Sequence, residues 1–103
     1  MRKYKIVFNS PKVYFSLMID EEKMKCSFCN KIINVDVTKL LDKIEHIIAH
    51  WHQPQKTSNI IDGTRLDIYF VDNSNTLKEM KFNDFNLPSN TQELITLMET
   101  LNG

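Results

Sequence analysis

Residues 3–20 read KYKIVFNSPKVYFSLMID, two runs in which apolar and polar side chains alternate around a turn cluster at 9–11. A period of two predicts half-buried β-strands, and a short turn between two such runs predicts an antiparallel hairpin. In the second run, Tyr14 and Met18 fall on the face opposite the larger apolar set. That strand is therefore expected to carry apolar side chains on both faces.

The segment after Asp36 predicts an amphipathic helix from Val37 to about His52. Its apolar side chains recur at helical spacing and form one stripe: Val37, Leu40, Leu41, Ile44, Ile47, Ile48 and Trp51. Asp36 is a favourable N-cap residue, and Pro54 ends the segment. Trp51 closes the stripe, so we expect it to lie in the core.

Beyond this helix the pattern predicts a second hairpin and a second helix. Residues 66–70 and 77–82 alternate as strands, and a Pro-Ser-Asn sequence at 88–90 precedes a leucine-rich helix. Residues 24–35 fit two interpretations, a third strand or a metal-binding turn. The predicted order is β-β-(β)-α-β-β-α, an antiparallel sheet of four to five strands with two helices on one face. We expect residues 1–103 to form a single α+β domain.

Composition narrows the classes of function. The chain has 13 Lys and Arg against 13 Asp and Glu, a formal net charge of zero, which argues against a strongly basic nucleic-acid-binding surface. Two cysteines are too few for a disulfide-dense secreted scaffold. The N-terminus shows no signal-peptide core, and no stretch approaches the ~20 apolar residues of a membrane span. We therefore expect a cytoplasmic protein with reduced thiols.

One motif points to metal chemistry. Cys26 and Cys29 form a Cys-x-x-Cys sequence, and His46 and His50 lie one helical turn apart. Two thiolates and two imidazoles can hold zinc with tetrahedral geometry. With these features, residues 24–52 resemble a two-Cys two-His zinc finger. The resemblance implies a structural zinc ion as cofactor, with these two cysteines and two histidines as its ligands.

Spacing and helix geometry keep other interpretations open. Sixteen residues separate Cys29 from His46, against about twelve in the usual pattern, and both histidines fall on the helix face away from the apolar stripe. A metal ion bound there would join residues at the surface and would not lie in the core. If residues 24–29 are instead a strand, Cys26 is a core hydrophobe and Cys29 a surface thiol. A redox role is a third alternative, disfavoured because no helix begins at Cys29.

The C-terminal half, residues 51–101, is similar to a tail of small uncharacterised bacterial proteins. The shared features are Trp51, an Ile-Asp-Gly-Thr run at 61–64, an amphipathic hairpin, and Pro-x-Asn at 88–90 before a leucine-rich helix. Leu66 stands where those proteins often carry a tryptophan. The resemblance implies a compact α+β fold and no particular activity.

The sequence shows no nucleophile motif, phosphate-binding glycine loop or paired carboxylates, so it predicts no enzyme. We expect a small soluble binding protein of the immunity, inhibitor or regulatory kind that acts through a protein partner. Tyr14 and Met18 are the predicted interface, with that partner or with a second copy in a homodimer. The alternative is a zinc-stabilised module that contacts nucleic acid through lysines of the N-terminal third: Lys3, Lys5, Lys12, Lys25 and Lys31.

Overall fold

A computed structural model describes residues 1–54, 63–72 and 74–101. The elements in chain order are β1 (Lys3–Asn9), β2 (Tyr14–Asp20), β3 (Lys25–Phe28), β4 (Lys31–Ile33), α1 (Val37–Ile48), β5 (Arg65–Val71), β6 (Leu77–Asn83) and α2 (Thr91–Leu101). All strand pairs are antiparallel, in the spatial order β4-β3-β2-β1-β5-β6. The predicted α+β class is confirmed.

The sheet of the described residues has six strands, so the expected count of four to five is too low. The difference lies in residues 24–35, which form the two strands β3 and β4. Cys29 and Asn30 make the two-residue turn between them, with φ of 50° and 67°. Positive φ at both central positions is typical of a type I′ hairpin turn, which asparagine tolerates well. The turn was not predicted because cysteine is not a usual signal for this backbone.

The core lies between one face of the sheet and both helices. We call this face of the sheet the inner face and the opposite one the outer face. The most completely buried large side chains of the core come from both the sheet and the helices: Ile6, Leu17, Leu41, Ile44, Leu66, Ile68, Leu94 and Met98. Burial of such apolar side chains is the main source of stability. Within the ranges given above, no helix is both long and apolar enough to cross a lipid bilayer.

The two ends of α1 show how the predicted helix forms. The Asp36 carboxylate accepts a hydrogen bond of 3.1 Å from the backbone N–H of Lys39, so it caps the helix as expected. The helix ends at Ile48, before the predicted end near His52. Trp51 is buried, as the stripe predicts, and its backbone N–H donates to the Ile48 carbonyl at 2.9 Å. The chain thus makes one tighter turn after Ile48, and Trp51 at its end lies in the core.

Arg2 ties the start of the sheet to α1 and to the turn between β2 and β3. Its buried guanidinium contacts three carboxylates: Glu21 at 2.6 Å, Asp42 at 2.8 Å, and Glu45. The Tyr4 hydroxyl donates a further hydrogen bond to Glu45 at 3.3 Å. The side-chain hydrogen bonds from Arg2 lower the pKa of Glu21 to about 2. One cation therefore joins three parts of the chain.

We expect Glu21→Gln to lower the melting temperature at pH 7, with a deficit that shrinks as the pH falls from about 4.5 toward 2. Because the pKa of Glu21 is lowered from 4.5 by folding, its contribution is full above that pH and is lost as the pH falls through about 2. Thermal denaturation followed by circular dichroism at several pH values measures this. Glu22→Gln, an exposed neighbour, is the control and should shift the melting temperature by less than about 2 °C. A deficit that does not change with pH would contradict the prediction.

The edge strand β6 is partly shielded by side chains of the chain itself. The backbone N–H of Lys81 donates to the Gln53 amide oxygen at 2.6 Å, and that of Asn83 donates to the Asn86 amide oxygen at 2.7 Å. These contacts occupy backbone donors on which another strand would pair. The opposite edge strand, β4, has three residues. Neither edge is well suited to adding a strand from another protein.

Candidate functional site

The predicted interface residues lie on the outer face of the sheet. Tyr14 and Met18 both project from this face of β2 and are 57% and 51% exposed. They are four residues apart on one strand, which corresponds to roughly 13 Å. Among the described elements, α1 and α2 pack on the inner face and none covers these two side chains. The outer face is therefore accessible to another molecule.

A shallow depression of about 370 Å³ lies on the outer face, at the end of the sheet where β1, β3 and β6 begin. Met18 is near its middle, and the strand register places Lys5 on one side of it and Ser27 on the other. Ile32 on β4 and Leu77 on β6 lie toward its two ends and are 78% and 74% exposed. The floor of the depression is therefore mainly apolar.

Positive charge is concentrated on one side of this floor, along β1, β3 and the turn before β3. Four lysines line the depression: Lys3, Lys5, Lys23 and Lys25. Asp20 is the one carboxylate among the described lining residues, and its carboxylate oxygen lies 3.9 Å from the Lys3 ammonium. Farther along the outer face the charges are more balanced, since Asp67 lies opposite Lys81 in the register. The excess of positive charge is thus local to the depression.

Tyr69 adds an aromatic ring to the outer face next to Lys5. The Lys81 ammonium lies 5.7 Å from the centre of this ring. Hydrogen bonding to the Tyr69 side chain raises the pKa of Lys81, and the charged lysine lies beside the ring. One face of Tyr69 is therefore already occupied by a cation of the same chain.

The structure places the four predicted zinc ligands in different surroundings. Cys26 is buried on the inner face of β3, and this burial raises the pKa of its thiol to about 11. Cys29 lies in the β3–β4 turn, with its sulfur 3.9 Å from the Tyr14 carbonyl oxygen. His46 and His50 are exposed, one on α1 and one just after it. Within the described part of the chain, no three His, Cys, Asp or Glu side chains form a group that could hold a metal ion.

Of the interpretations of the Cys-x-x-Cys sequence, the geometry favours the strand. Residues 25–28 form β3 and Cys26 packs in the core, while Met24 precedes the strand with φ of 51° and is exposed. Burial raises the pKa of the Cys26 thiol, which disfavours the thiolate that a redox nucleophile needs. The zinc site is not assembled in this structure and stays a prediction from the sequence.

Sequence reasoning found part of the depression and missed part. It selected Met18 and three of the four lysines. Leu77 was missed, although the alternation in its run puts it on the other face of the strand from Met80 and Phe82. That alternation indicates that Leu77 lies on the outer face. Ile32 could not be placed because the β3–β4 hairpin was not predicted. Of the remaining selected lysines, Lys12 lies in the β1–β2 turn and Lys31 begins β4, and neither lines the depression.

Comparisons with protein-family models, with curated proteins and with solved structures gave no match. The two resemblances noted from the sequence therefore stay predictions, and residues 61 and 62 of the tail pattern lie outside the described ranges. Support for a function comes from the chemistry and geometry of the outer face.

Proposed function

We propose that this chain is a small non-enzymatic binding protein that engages a protein partner through the outer face of its sheet. The observation that carries the proposal is a set of large apolar side chains that are more than half exposed on that face: Tyr14, Met18, Ile32 and Leu77. Grouped apolar side chains left in water mark interaction sites, because covering them is favourable by about 25 cal/mol per Å². An immunity, inhibitor or regulatory protein acts through such a surface.

A partner of different sequence is favoured over a second copy of this chain. In a two-fold symmetric dimer whose axis passes through the depression at Met18, each depression would meet its own counterpart. The lysines around Met18 would then face lysines, and like charges brought together across an interface are unfavourable. The homodimer predicted through Tyr14 and Met18 therefore has less support than a complex with another protein.

The alternative of a zinc-stabilised module that contacts nucleic acid also has less support. Its four metal ligands are not grouped, and three of its five lysines converge on one surface, namely Lys3, Lys5 and Lys25. Single-stranded nucleic acids bind sheet faces by stacking bases on aromatic rings. The ring of Tyr69 already contacts Lys81, and the exposed side chains of Met18, Ile32 and Leu77 in the depression are aliphatic.

Site-specific photo-crosslinking in cells that naturally make the protein tests this function. A photoreactive amino acid at position 18 or 32 is expected to capture the same protein, identified by mass spectrometry, whereas one at the exposed helix position 46 should not. Purified partner should then bind the wild-type chain, and Met18→Asp should weaken binding by tenfold or more, about 1.4 kcal/mol. Met18 is half exposed, so this change should leave the fold intact.

Lys39→Glu on the exposed side of α1 is the matched control, because it changes charge far from the outer face. Its affinity for the purified partner should stay within twofold of the wild-type value. Capture from position 46 alone, or equal loss of affinity in the Met18 and Lys39 variants, would show that the binding surface is not the outer face.

A further inference from the structure

We infer that the depression around Met18 binds an acidic peptide segment of the partner, with one apolar side chain of that segment on Met18 and its carboxylates on the neighbouring lysines. This inference rests on the proposed function and adds the chemistry of the segment that makes the contact.

The dimensions of the apolar floor set the length of the segment. Ile32 lies on β4 and Leu77 lies on β6, the two edge strands of the sheet. Five strand spacings therefore separate them. At about 4.8 Å per spacing this is roughly 24 Å. An extended chain rising about 3.3 Å per residue covers that distance with about seven residues. A short linear segment running across the strands is therefore long enough to reach from Ile32 over Met18 to Leu77.

The lysines beside the floor set the charge of the segment. Lys5 lies in the register between Met18 and Tyr69, neither of which carries a negative charge. Lys3 and Lys25 both lie opposite Asp20 in the register, and the Asp20 carboxylate forms an ion pair with Lys3. Placing an uncharged or basic segment here would bring lysines out of water without compensation. Asp and Glu side chains flanking an apolar residue complement both parts of the surface.

The form of the floor favours a peptide over a nucleic acid. The lysines would attract phosphate as well as carboxylate. However, Met18, Ile32 and Leu77 provide aliphatic contacts for an apolar side chain and no flat ring on which a base can stack. Tyr69 is engaged with Lys81 on one face. An anionic ligand with an aliphatic or aromatic side chain between its charges fits this surface best.

Selection from a library of random twelve-residue peptides displayed on phage, with the folded wild-type chain as the target, tests the inference. The enriched peptides should carry two or more Asp or Glu residues within four positions of a Leu, Ile, Met or Phe. A synthetic copy of one such peptide should bind at least tenfold more weakly to Lys5→Glu and to Lys23→Glu. Its affinity should also fall severalfold when the salt concentration is raised from about 0.05 to 0.5 M.

The controls separate this inference from the proposed function. Lys39→Glu should bind the peptide within twofold of the wild-type chain, and a copy of the peptide with Lys in place of each acidic residue should not bind. Enrichment of neutral or basic peptides, or of none, would overturn the inference, as would tighter binding of a twelve-nucleotide oligo(dT) than of the peptide. If crosslinking from position 18 identifies a partner whose contact segment is not acidic, the inference fails and the proposed function stands. If positions 18 and 32 capture no partner, the proposed function fails.

Discussion

We expect Trp51→Ala to lower the free energy of unfolding by about 4 kcal/mol, equivalent to roughly 20 °C in melting temperature. Trp51 is 9% exposed and its ring meets the edge of Phe82 at 5.6 Å between centroids. Its indole N–H donates to the amide oxygen of Asn90 at 2.7 Å. The same amide donates its N–H to the Ile47 carbonyl at 2.8 Å. Removing the indole thus empties a core site and leaves a polar group of Asn90 without its donor.

This contact joins three elements at one point. The Ile47 carbonyl is among the last of α1, which have no partner within the helix, and Asn90 immediately precedes α2. Trp51 therefore holds the end of one helix, the start of the other and the inner face of β6 together. A domain of this size has a total stability of about 5–15 kcal/mol, so losing this contact removes a large part of it.

Trp51→Phe is the matched variant, because it keeps a buried aromatic ring while it removes the N–H donor and a small part of the buried volume. We expect it to cost about 1 kcal/mol in urea denaturation. Asn90→Ala removes the same hydrogen bond, so the double variant should cost less than the sum of the two single ones. A cost below about 1 kcal/mol for Trp51→Ala, or strict additivity of Trp51→Phe and Asn90→Ala, would contradict this assignment.

Local periodicity predicts much of this fold, because burial on one face leaves a repeating pattern in each element. The alternating runs gave β1, β2, β5 and β6, and the helical stripe gave α1 with Trp51 at its end. The contact of Asn90 with Trp51 was not visible in the sequence, where Ser89 with Gln92, or Asn90 with Glu93, resembles a capping box at the start of α2. In the structure the Asn90 side chain does contact Glu93, and its amide oxygen also accepts a hydrogen bond from Trp51, 39 residues earlier in the chain. Such a contact depends on tertiary arrangement rather than on neighbouring residues.

The candidate site was only partly predictable for the same reason. Met18 was selected because its strand has apolar side chains on both faces, which is a local property. The depression itself depends on the order of strands in the sheet, which brings Ile32 and Leu77 from opposite edges onto the same face as Met18. The backbone of the Cys-x-x-Cys sequence was left open between a strand and a metal-binding turn, because Cys29 occupies a turn position usually held by Asn or Gly. Its spacing reflects a hairpin whose strand carries Cys26 into the core.

Arg2→Met is expected to lower the free energy of unfolding by about 2 kcal/mol, or roughly 10 °C in melting temperature. Methionine keeps an apolar stem in the buried position and removes the cation. Glu21, Asp42 and Glu45 then lose the group that holds them together and repel one another. The cost stays below that of a fully buried pair because Asp42 is 64% exposed and water screens part of the repulsion.

If the loss of stability in Arg2→Met is electrostatic in origin, it should depend on pH. Without Arg2, protonation of the three carboxylates relieves their repulsion, so the deficit relative to the wild-type chain should shrink as the pH falls below about 4.5. Asp42→Asn together with Glu45→Gln should restore part of the stability of Arg2→Met, although each change alone in the wild-type chain should be destabilising.

Arg65→Met, which changes an exposed arginine of the outer face, is the control and should cost less than about 0.5 kcal/mol. Equal losses for Arg2→Met and Arg65→Met, or no recovery in the combined variant, would show that packing of the Arg2 stem, rather than its charge, stabilises the start of the sheet.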